Sequence, residues 1–214
     1  AFIMGAVVPV LDARASQSAF SPPPGYVFVK PAACQNGKSP ALIYDICADQ
    51  MALFTEVLGR SAASGKSLVV IFGATWCPSC KSLKAVLPSA DFFAATPAGK
   101  PLLERVAVTE IAISTLENGK VKPVQSGDAV LALVQNKRPE VKQRAVPFLA
   151  VIDPKSGRTF VRNLDDMEPA AGSGGWSTAR LANLISAADI EVRGGSAAPG
   201  EPGWLARKWQ RLWR

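Results

Sequence analysis

The stretch SLVVIFGATWCPSCKSL, Ser67 to Leu83, joins an apolar run to a pair of cysteines two residues apart. Leu68 to Phe72 is continuous, apolar and of strand length, which suits a strand covered on both faces by helices. After Cys77 the spacing of Lys81, Leu83, Lys84, Val86 and Leu87 predicts a helix, which Pro88 kinks or ends. A C-x-x-C pair at such a junction places its first sulfur at a helix N-terminus, where unpaired amides and the macrodipole stabilise a thiolate. Such settings lower a thiol pKa from about 8.5 to roughly 3.5–7.5. Cys77 is therefore the candidate nucleophile, and Cys80, one turn on, the thiol that resolves a mixed disulfide. Pro78 suits the first helical position, where its missing N–H costs nothing.

Working outward, Asp49 to Gly65 has helical periodicity, with Met51, Phe54, Val57 and Leu58 on one face and Gly65 as a stop. YVFVK, Tyr26 to Lys30, reads as a short strand that opens the sheet. Val106 to Ile113 reads as another strand, and Asp128 to Asn136 as a short helix capped by Asp128. Phe148–Ile152 and Thr159–Arg162 flank DPKSG, a hairpin with Gly157 at a positive φ. Leu181, Leu184, Ile185 and Ala188 recur at helical spacing behind AGSGG. The order β-α-β-α-β-α-β-β-α describes an α/β fold, a mixed sheet with helices on both faces.

The 214 residues, 48% hydrophobic, suffice for one sizeable core. The net charge of +7 comes without a nucleic-acid recognition motif, so no nucleic-acid partner is expected. With no histidine in the chain, chemistry rests on cysteine, carboxylate, lysine or backbone groups. A structural zinc site would need all four cysteines at the spacing C-x12-C-x29-C-x2-C, which lacks the paired knuckles of zinc ribbons. No metal and no cofactor are expected. Residues 1–25 read as a leader-like segment and linker: Ala1 to Leu11 is apolar, Ala13-Arg14-Ala15 has the small-x-small form of a signal-peptidase site, and SPPPG follows. That implies a periplasmic or otherwise extracytoplasmic setting, in which Cys34 and Cys47 are candidates for a structural disulfide worth roughly 3 kcal/mol. A second redox pair is the alternative for these two.

The run FGATWCPSCKSL, followed by VPFLAVID with a proline before a buried strand, resembles the thioredoxin-like superfamily of thiol-disulfide oxidoreductases. The resemblance covers Tyr26 to about Ala188 and implies a thioredoxin-like domain over residues 26–190. It implies that Trp76 and Pro78 flank the nucleophile, that the Val146–Pro147 bond is cis, and that Val146 and Pro147 form a platform for an extended substrate segment. Protein thiols or disulfides and a redox partner protein are the partners it implies. The chain departs from the family in three places. Ile71 stands where classical thioredoxins often bury an aspartate, Pro78-Ser79 replaces Gly-Pro, and the stretch from Cys80 to Pro147 is long, with the excess around Leu116 to Arg144 expected to be a surface loop and a substrate-facing insertion as the alternative. The dipeptide leaves the direction of electron flow open. A non-catalytic thioredoxin-like binding module is the competing class.

Residues 191–203 read as a Gly/Pro linker and 204–214 as an amphipathic tail. GWLARKWQRLWR places Leu205, Trp209, Leu212 and Trp213 on one helical face and its basic residues mostly away from it. That pattern fits contact with a membrane surface, with packing onto the domain or into a partner's groove as alternatives.

Overall fold

The computed structural model describes residues 20–34, 43–87, 101–167 and 176–194. The leader-like residues before Phe20, Pro88, the AGSGG loop, and the linker and tail beyond Gly194 lie outside the described residues.

Five strands form one mixed sheet in the order β3-β2-β1-β4-β5. They are β1 (Ser67–Ala74), β2 (Val106–Glu117), β3 (Lys120–Pro123), β4 (Phe148–Ile152) and β5 (Thr159–Asn163). β1 runs parallel to β2 and antiparallel to β4, and the remaining pairs are antiparallel. Every residue of β1 is buried, because both its faces are covered. Leu68, Val70 and Phe72 face α1 (Gln50–Ser64) and α4 (Gln125–Gln135). Val69 and Ile71 face the layer built from α2 (Pro78–Val86), α3 (Leu102–Arg105) and α5 (Thr178–Val192). This is an α/β architecture, a mixed sheet with helices on both faces.

Local chemistry sets the helix ends. Asp49 caps α1 by accepting from the amides of Met51 and Ala52, and Gly65 closes it at φ 67°. Phe20 is packed edge-on against Phe54 at 5.8 Å, which ties the N-terminal approach to α1. The Phe148–Ile152/Thr159–Asn163 hairpin carries Gly157 at φ 73°.

Three expectations need correction. Tyr26–Lys30 is not a strand: Tyr26 turns back to Pro23 and donates its hydroxyl to Asp49 at 2.6 Å, leaving Val27 and Val29 exposed with no neighbouring strand among the described residues. The fourth helix begins at Gln125, so Asp128 lies in its first turn, and its N-cap, Val124, supplies no side-chain bond. Gly127 allows that earlier start, since a Cβ there would sit 1.8 Å from the Ala112 carbonyl oxygen of β2. Leu116–Arg144 is no plain loop, for it holds the end of β2, all of β3, and α4.

At the end of the sheet away from the cysteines, Asp189 on α5 is nearly inaccessible. It accepts from Ser67 Oγ at 2.6 Å, Arg105 Nε at 2.9 Å and Arg193 Nε at 2.6 Å. Burial pushes its carboxyl pKa up, but the bonds from Ser67, Arg193 and Arg105 outweigh burial and hold it below the usual carboxylate range. The stabilisation is therefore complete above the unfolded value of about 3.9 and is lost as pH falls through the lower folded value. Asp189→Asn should cost about 3–5 kcal/mol in urea unfolding at pH 7 and flatten the acid limb of stability. A midpoint unchanged at pH 7 would contradict this role.

Candidate active site

β1 delivers Thr75 and Trp76 into a turn and Cys77 to the N-cap of α2, with Pro78 in the first turn. Cys77 and Cys80 are joined in a disulfide, Cα atoms 5.3 Å apart. The Cys80 amide donates to Cys77 Sγ at 3.0 Å, so an orphan donor of the helix start points at the first sulfur. Cys80 is fully buried and Cys77 nearly so. Cys77 Sγ also lies 3.5 Å from the Val146 carbonyl oxygen, and the Val146–Pro147 peptide bond is cis. Pro147 sits at this spot because β4 pairs Phe148 with Phe72 near the end of β1.

The fold thus brings Cys77, Cys80, Val146 and Pro147 together, with Trp76 beside them. The Trp76 indole N–H donates to Ser114 Oγ at 3.2 Å while its ring stays partly open to solvent. Cys34 and Cys47 form a second disulfide, and Cys34 is buried in the same cluster as the dithiol. All four sulfurs are therefore bonded in pairs.

Several neighbours had no motif to announce them. Gln50, buried at the start of α1, accepts from the Ala112 amide and donates to the carbonyls of Asp45 and Ala48, which pins the Cys47 segment to β2. Trp176 donates to Ser79 O at 3.1 Å and Ser82 Oγ at 3.2 Å, which braces the first turn of α2 from outside. Tyr44 belongs to the dithiol cluster and lies over Gly73. Burial, with the Glu110 carboxylate adding to it, pushes its hydroxyl above the usual tyrosine range. Lys84, one turn beyond Cys80 on α2, lies 5.5 Å from the Tyr44 ring centre and pairs with Glu110 at 2.5 Å. Glu110 stands directly opposite Ile71 on the neighbouring strand.

No family model and no curated protein matches the chain. Among solved structures, it is similar to a disulphide isomerase from Xylella fastidiosa Temecula1, at 22% identity over 72% of this chain and 92% of that one, with a TM-score of 0.41. A thioredoxin-fold protein from Helicobacter pylori matches at 13% identity over 69% and 82% of the two chains, with a TM-score of 0.37. A thiol:disulfide interchange protein of the thioredoxin family from Chlorobium tepidum TLS matches at 20% identity over 60% and 84%, with a TM-score of 0.31.

The contact of Tyr44 with Gly73 generates a test. A Cβ at residue 73 would sit 2.0 Å from the Tyr44 hydroxyl oxygen. Gly73→Ala should lower unfolding stability by roughly 1–3 kcal/mol, and in a Tyr44→Ala background it should cost distinctly less. Equal costs in the two backgrounds would show that the contact carries no energy.

Proposed function

We propose that the chain is a thiol-disulfide oxidoreductase that exchanges disulfides with protein thiols through Cys77 and Cys80. The observation that carries the reading is the bonded pair at the start of α2, with the Cys80 amide on Cys77 Sγ and the Val146 carbonyl across from it.

In the oxidised form, a substrate thiolate attacks Cys77 Sγ, the Cys77–Cys80 bond breaks, and Cys80 leaves as a thiolate that takes up a proton. A second substrate thiolate then attacks the substrate sulfur of the mixed disulfide and releases Cys77 as the leaving thiolate. Two electrons pass from the substrate thiols to the dithiol. The reverse sequence reduces a substrate disulfide: Cys77 attacks, the first substrate thiolate departs, and Cys80 displaces the second from Cys77. Amide donation at the helix start favours Cys77 both as attacking and as departing thiolate. Trp76, Pro78 and the Val146–Pro147 platform supply the substrate side of the site. Which direction runs in the cell depends on the partner's potential.

Two features support work outside the cytoplasm, the leader-like composition of residues 1–25 and the Cys34–Cys47 bond. The basic, tryptophan-rich residues 204–214 support contact with a membrane surface. Among the described residues, no helix is long and apolar enough to cross a membrane.

After reduction, iodoacetamide at mildly acidic pH should label Cys77 well before Cys80. Cys77→Ser should abolish exchange with a protein disulfide, whereas Cys80→Ser should accumulate the mixed disulfide on Cys77. Exchange that persists at the wild-type rate in Cys77→Ser would refute the reading. Equilibration against glutathione sets the direction: a potential near −270 mV fits a reductase and one near −120 mV an oxidant, about five decades apart in equilibrium constant.

A further inference from the structure

Past the main sheet, β2 continues with β3 as a two-stranded ribbon. Ser114 stands opposite Pro123, Thr115 opposite Lys122, Leu116 opposite Val121 and Glu117 opposite Lys120. Asn118 and Gly119, both at positive φ, close it in the two-residue turn that matches strand twist. Because side chains alternate, Ser114, Leu116, Val121 and Pro123 share one face, and Thr115, Glu117, Lys120 and Lys122 share the other.

The base of the ribbon is fixed to the active-site turn on both faces. Trp76 donates to Ser114 Oγ, which sets its indole on the apolar face. On the other, Thr75 Oγ1 and Thr115 Oγ1 are hydrogen-bonded at 3.0 Å and buried. The result is an apolar strip of Trp76, Leu116 and Val121, exposed by 38%, 47% and 57%, beginning at the residue before Cys77. Half of the six large hydrophobics exposed among the described residues lie on this one feature, so the strip is no scatter of single side chains. All four residues of β3 are exposed, and β3 is an edge strand. Among the described residues no ion pair engages Lys120 or Lys122.

We infer that this ribbon is a docking arm for the protein substrate, an inference that rests on the exchange activity proposed above. The occupant is an extended apolar segment with acidic residues beside it, which brings its own sulfur to Cys77. The strip covers the apolar side chains, the β3 edge supplies backbone pairing, and Lys120 and Lys122 attract the acidic flank, in a chain that is itself cationic.

Two readouts separate docking from chemistry. The first is fluorescence anisotropy with a labelled peptide of alternating valine and leucine, flanked by glutamates and with serine in place of its cysteine. The second is the rate of exchange with glutathione disulfide, which is too small to span the arm. Leu116→Ser/Val121→Ser should weaken peptide binding by about tenfold and leave the glutathione rate unchanged. Lys120→Glu/Lys122→Glu should invert the preference between glutamate-flanked and lysine-flanked peptides. Wild-type affinity in the serine variant, or equal affinity for the two peptides in the wild type, overturns the docking arm. Intact peptide discrimination with no glutathione exchange by the wild type would instead overturn the exchange activity and leave the arm standing.

Discussion

β1 is hydrogen-bonded along both edges and covered on both faces, and the geometry of the cysteine site follows from that enclosure. Its end sets where Cys77 enters α2, and its register with β4 sets where Val146 and Pro147 lie. Both halves of the site are thus referred to one strand pair. A slip of one residue would turn Val69 and Ile71 toward the layer that now takes Leu68, Val70 and Phe72, at the cost of every core contact. The 3.5 Å approach of Cys77 to Val146 therefore rests on hydrophobic packing over the whole sheet, not on local bonds at the cysteines.

The elements legible in the sequence were those whose cause is local. β1 announces itself as an unbroken apolar run, α1 through its periodicity with Asp49 and Gly65 at its ends, and the β4–β5 hairpin through its Gly157 turn. Tyr26–Lys30 has strand composition, but a strand also needs a neighbour to accept its edge. The tyrosine's bond to Asp49 holds that segment elsewhere. The β2–β3 ribbon had a local signal, Asn118-Gly119 between strand-like residues, which the length of the surrounding segment obscured. The start of α4 is set by contact between Gly127 and Ala112 of β2, which no cap residue advertises.

At the site the division is similar. Cys77, Cys80 and Pro147 carry a motif, whereas the groups that hold them act across long sequence distances. Gln50 reaches Ala112, Trp176 reaches Ser79, and Tyr44 reaches Gly73. Each uses an ordinary residue whose role comes only from where the chain returns. The two disulfides make the same point: Cys34–Cys47 lies in one cluster with Cys77–Cys80, and at the latter pair the amide of a helix start donates to the first sulfur.

The ribbon of β2 and β3 leaves the sheet before its outer residues contribute to either apolar layer. Its tip is consequently free of the volume constraints that hold the interior residues fixed. Substitutions at the tip alter the exposed surface without touching the packed layers or the cysteine pair. The exchange proposed for the cysteine pair and the docking inferred for the ribbon thereby fall on separate stretches of one chain, and a lineage could revise the second while leaving the first untouched.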